Sequence, residues 1–78
     1  MTQKNPNLIQ HSRQVAEAVG MLDHAGYYVN RLTISANNWE IIVMDPVMVY
    51  RGDVKSVEYK AVKLHDYQDV IRFLHARS

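Results

Sequence analysis

The chain has 78 residues, no cysteine, and nine Lys plus Arg against eight Asp plus Glu, for a net charge of +1. That length supports one domain around one small core, the lack of Cys excludes disulfide and thiolate-zinc staples, and the balanced charge argues against an affinity built on phosphate contacts. A hydrophobic share of 47% and a charged share of 22% exclude the disordered, collagen-like and coiled-coil classes. A single core of this size supplies roughly 3 to 5 kcal/mol, so association with a partner is the natural supplement.

The expected fold is α+β: one domain over 1–78, ordered helix, strand, strand, strand, helix, with an antiparallel three-stranded sheet and both helices on one face. Residues 1–6 are polar and are expected to be frayed or disordered. From Leu8 the apolar residues Val15, Ala18, Val19 and Leu22 recur at helical spacing, predicting a helix over about 8–25, with Asn7 as N-cap, Gln10 as its capping partner and Gly26 as the terminating glycine. Gly20 inside this helix either costs roughly 1 kcal/mol relative to Ala or marks a close approach of another backbone.

From Tyr27 the period becomes two, predicting a strand over about 27–35 with Tyr28, Leu32 and Ile34 on one side and Val29, Arg31 and Thr33 on the other. Ala36, Asn37 and Asn38 read as a turn, since Asn tolerates the left-handed region. A second strand follows over about 39–50, with a break at Asp45 and Pro46 that reads as a bulge, an edge position or a turn, because proline cannot donate to a ladder. Arg51, Gly52 and Asp53 make the next reversal. A third strand over about 54–64 alternates Val57, Tyr59 and Ala61 against Ser56, Glu58 and Lys60, the latter set facing solvent or a site. The last helix spans about 66–77, capped by Asp66 with Asp69 at N3, and Tyr67, Val70, Ile71 and Leu74 form its inward stripe.

The second strand carries a surplus. Ile41 to Met44 and Val47 to Tyr50 are apolar in both pleat directions, which one covered sheet face cannot bury. Ile42, Met44, Val47, Val49 and Tyr50 are therefore the candidate interface, and a protein partner, above all a second copy in a homodimer, is the expected occupant. The leading functional reading is a non-enzymatic interaction module or accessory subunit.

A second reading starts from Asp45 followed by Glu58, Tyr59 and Lys60. Two carboxylates beside a lysine on adjoining strands can hold a divalent cation and position an attacking water. With Glu17 on the first helix, these residues resemble the PD-(D/E)xK nucleases, whose core is also a helix, three strands and a helix. The resemblance implies Asp45, Glu58 and Lys60 as a catalytic site, although Asp45 precedes its proline here instead of following it. The element order is also similar to double-stranded-RNA-binding domains, which implies an RNA-binding role, but Asp66 and Asp69 stand where such domains carry a lysine cluster.

His11, His24, His65 and His75 show no i, i+4 ligand pairing, so no metal or cofactor is expected. Arg51, Gly52 and Asp53 are good turn chemistry. No apolar h-region follows Met1 and no run approaches the roughly 20 residues that span a bilayer, so a cytoplasmic location away from membranes is expected.

Overall fold

A computed structural model, describing residues 4–77, arranges the chain as α1 (Pro6–His24), β1 (Tyr28–Ile34), β2 (Trp39–Arg51), β3 (Val54–Leu64) and α2 (Tyr67–His75). The strands form one antiparallel sheet in the order β1-β2-β3, which is the α+β architecture read from the sequence. Of the expected frayed start, residues 1–3 lie outside the described residues. Pro6 opens α1, two residues earlier than the spacing predicts and with Asn5 rather than Asn7 at the N-cap, because the fixed φ of proline suits a first turn in which its missing donor costs nothing.

α1 closes in a Schellman arrangement. Tyr27 N donates to Leu22 O at 2.9 Å and Gly26 N to Asp23 O at 3.0 Å, with Gly26 at φ 89°, the left-handed value that glycine supplies without strain. This turn delivers the chain into β1 within three residues. At Gly20 an added Cβ would meet nothing within 4 Å, so of its two readings only the intrinsic helix cost survives.

One face of the sheet holds the core. Trp39, Ile41 and Val43 from β2, Leu64 from β3, Val15, Ala18 and Leu22 from α1, and Val70 and Phe73 from α2 form a single buried cluster. Phe73 replaces the exposed Ile71 in the inward stripe of α2. Trp39 Nε1 donates to Gln14 Oε1 at 3.0 Å, satisfying the indole as it is buried, and Tyr67 Oη donates to Glu17 Oε2 at 2.6 Å, tying the helices together. The start of α2 is capped twice: Asp66 Oδ1 accepts from Asp69 N at 2.8 Å, and Asp69 Oδ2 accepts from His65 N, one residue before the cap, at 3.0 Å.

Three local expectations need correction. A register shift between Val29 and Arg31 makes a bulge at Asn30, which turns Val29 inward with Leu32 and Ile34 and leaves Tyr28, Arg31 and Thr33 on the outer face. The 35–38 turn has no left-handed asparagine; Ser35 holds it, its hydroxyl oxygen accepting from Asn38 N at 3.1 Å while Ser35 N donates to Asn38 O at 2.8 Å. Finally, β2 runs through Asp45 and Pro46 unbroken, with Asp45 opposite Lys60 and Pro46 opposite Tyr59. The β1 ladder has ended at Met44, so one side of β2 is an open edge there, the place a sheet tolerates proline.

The outline follows from unequal strand lengths. β1 has 7 residues while β2 and β3 have 13 and 11, so the β2-β3 ribbon outruns both the third strand and the helices. The molecule measures 64 × 20 × 16 Å with a radius of gyration of 15.6 Å, against roughly 11.5 Å for a compact domain of this length. Its accessible surface of 5953 Å² exceeds by about 1,100 Å² the value typical of a folded monomer of its mass. The chain is thus a small helix-covered body with a projecting two-stranded arm, residues 45–60.

Candidate functional site

The arm begins where Asp45 leaves the body, and Arg77 fixes it there. Nε of Arg77 donates to Asp45 Oδ1 at 2.9 Å while Nη2 pairs with Oδ2, a bidentate contact; Nη1 donates to Phe73 O at 2.9 Å, and the guanidinium lies 3.8 Å from the centre of the Phe73 ring. The same ring meets Tyr27 edge to face at 4.9 Å. This stack joins the end of α2, the start of β1 and the root of the arm. The Arg77 hydrogen bond holds the Asp45 carboxyl below the usual carboxylate range and raises the guanidinium in turn.

Beyond that root, neither face of the arm is covered. The outer face carries Ile42, Met44, Pro46, Met48 and Tyr50 from β2 opposite Lys63, Ala61, Tyr59, Val57 and Lys55 from β3. Tyr28 joins it from β1 and, with Met44 and Tyr59, lines a shallow apolar depression of about 340 Å³. Tyr50, Tyr59 and Tyr28 are each about two-thirds exposed, and the Lys55 ammonium stands 6.0 Å from the Tyr50 ring. The face on the helix side carries Val47 and Val49 opposite Glu58 and Ser56, with Arg51 opposite Val54 at the tip. Gly52, at φ 63°, occupies the first central position of the two-residue turn, as in a type II′ hairpin.

The five candidate interface residues therefore divide between two faces of one ribbon: Ile42, Met44 and Tyr50 lie on the outer face, Val47 and Val49 on the helix side. Sequence reasoning found the surplus but missed the outer residues of β3, Val57 and Tyr59, because their alternation with charged neighbours imitates a strand with one buried face. It also set Ser56, Glu58 and Lys60 apart from the core side, whereas they share the face of Leu64 and lie beyond the reach of the helices.

Asp45, Glu58 and Lys60 are brought onto one face, Asp45 directly opposite Lys60 and Glu58 one same-face position further along. Each carboxylate is already engaged: Asp45 by Arg77, Glu58 by Arg51 at 3.0 Å. A cation bridging them would have to displace both guanidinium groups. Among the described residues no group of three or more His, Asp or Glu side chains stands in position to hold a metal ion. Glu17 of the same resemblance is bound to Tyr67 at the start of α2, whereas Asp45 is bound to Arg77 beyond the end of that helix. Nor is any described helix long and apolar enough to cross a membrane.

Comparison of the chain with protein-family models, with curated proteins and with solved structures finds no match.

Proposed function

We propose that this chain is a non-enzymatic protein-interaction module, located in the cytoplasm, that associates with a second copy of itself through its arm. The observation that carries the reading is the arm itself: a two-stranded ribbon with apolar side chains on both faces and no third layer of its own chain. An isolated hairpin is marginally stable in water, and an apolar ribbon this exposed is costly to leave bare. The excess surface of about 1,100 Å² over a compact monomer is more than the roughly 800 Å² that each partner contributes to a standard interface. A like partner needs no other gene product and carries the same unmet surface.

The test is the solution mass by light scattering across a dilution series. The expected result is twice the 9.0 kDa of one chain down to low micromolar concentration, with Val49→Asp returning the mass to that of a monomer. A monomer at every concentration would sink self-association. Lys60→Ala is expected to leave the mass unchanged, and metal-dependent cleavage of nucleic acid that Lys60→Ala abolishes would replace this reading with the nuclease one.

A further inference from the structure

We infer that two copies join edge to edge through residues 45–51 of β2, running antiparallel about a twofold axis at Met48. This deepens the self-association proposed above and rests on it. The open edge is where it starts. β1 pairs with β2 only as far as Tyr28 opposite Met44, and the residues before Tyr28 are committed to the turn that closes α1. No part of the same strand can extend to cover 45–51, which pair with β3 on their other side alone. Such an edge is a template for another strand, and Pro46 withholds at most one donor from it.

The stretch is complementary to itself. Laid antiparallel on its own copy about Met48, Asp45 falls opposite the partner subunit's Arg51, Pro46 opposite the partner subunit's Tyr50, Val47 opposite the partner subunit's Val49, and Met48 opposite its own image. Apolar pairs fill the middle, and at each end a carboxylate faces a guanidinium, Asp45 while bound to Arg77 and Arg51 while bound to Glu58, the combinations that favour cross-strand pairing. Opposed residues are of the same parity, so both arms keep their helix-side faces on the same side of the joint sheet.

Neighbouring registers fail on observations already described. A shift of two residues one way puts the partner subunit's Arg51 opposite Val43, a place that Val29 of β1 holds. The same shift the other way brings the partner subunit's Gly52 turn opposite Asp45 and Pro46, so the ladder shrinks to residues 47–51 and Asp45 loses its partner. In the register that remains, the incoming strand ends where β1 begins and prolongs its line, and the Gly52 turn then carries the chain away. The result is one continuous sheet shared by two bodies at opposite ends.

Because the chain has no cysteine, a single thiol tests the geometry. Met48→Cys sets two thiols opposite each other with Cβ atoms about 5 Å apart, a little wider than a relaxed disulfide and within reach of a short bifunctional thiol cross-linker. Val57→Cys, beside it on β3, is separated from its image by three strand spacings, about 14 Å. The expected result is a covalent dimer from Met48→Cys and none from Val57→Cys. A dimeric mass with linkage only through Val57→Cys would overturn edge pairing in favour of packing between outer faces, while leaving self-association intact; a monomeric mass throughout would overturn both.

Charge exchange tests the register independently. Asp45→Arg and Arg51→Asp, each alone, set like charges at both ends and are expected to weaken the dimer at least tenfold; Asp45→Arg also gives up the Arg77 pair, so its fold is checked by tryptophan emission and Arg77→Ala serves as its control. Mixing the two variants restores both pairs and is expected to recover a heterodimer. Failure to recover, with Arg77→Ala still dimeric, would overturn the register. Arg51 projects from the tip with 77% of its side chain exposed, so Arg51→Asp leaves the body folded.

Discussion

The body and the arm are built from the same two strands and obey different rules. Over Trp39–Val43 the alternation of β2 sorts side chains into a buried set and a half-buried set, because helices cover one face. Beyond Asp45 the ribbon continues with apolar residues on both faces and nothing covers either. The chemistry of the side chains hardly changes along β2; what changes is which elements lie above it. Hydrophobic patterning records what a strand will bury, and only the lengths of the neighbouring elements decide whether the same chain does the burying.

The largest effect expected from this contrast is at the core. Ile41→Ala removes a fully buried side chain and is expected to cost about 2 to 5 kcal/mol in chemical denaturation. Val49→Ala, eight residues along the same strand, should cost under about 0.5 kcal/mol in the dilute monomer. Equal losses at the two sites would erase the distinction between body and arm.

Next comes the joint. Arg77→Ala removes the bidentate pair and the stack on Phe73 and is expected to cost about 1 to 2 kcal/mol at neutral pH. The pH dependence has a definite sign. The folded Asp45 carboxyl titrates below its unfolded value of about 3.9, so the stabilisation is present above that pH and is lost as pH falls through the folded value. The gap between wild type and Arg77→Ala should therefore narrow in unfolding curves below about pH 4; a gap independent of pH would assign the cost to packing on Phe73 instead.

Smaller effects are confined to the body. Asp66→Ala deletes one of the two caps and is expected to cost about 1 kcal/mol, with increased amide exchange in α2 and none added in the arm. Gly20→Ala, where a Cβ meets open space, is expected to gain about 0.5 to 1 kcal/mol. A loss of stability from this substitution would mean that another surface approaches α1 in solution.

Most of the architecture was legible in the sequence because its signals are local. Helical spacing in α1, the Asp66 and Asp69 cap, the Gly26 stop and the Gly52 turn each depend on residues a few positions apart. The bulge at Asn30 was not, since it is set by how β1 meets β2 and no residue type announces it. Pro46 announced an edge, a bulge or a turn alike, and only the end of the β1 ladder at Met44 decides for the edge. The candidate surface was half legible: the surplus around β2 was visible, yet its division between two faces depends on where α1 and α2 stop. Arg77, the residue that aims the arm, is 32 positions from Asp45 and carries no motif; its one local signal is the spacing of four from Phe73.

The burial of Trp39 has an optical consequence. It is the single tryptophan of the chain, sealed in the body with its indole bound to Gln14, while Tyr50 and Tyr59 sit on the arm. Tryptophan emission from this protein therefore follows the melting of the body and stays silent when the ribbon frays, whereas the tyrosine signal mixes the two arm residues with Tyr27, Tyr28 and Tyr67 of the body. One native fluorophore thus reports on a single half of the molecule without a label.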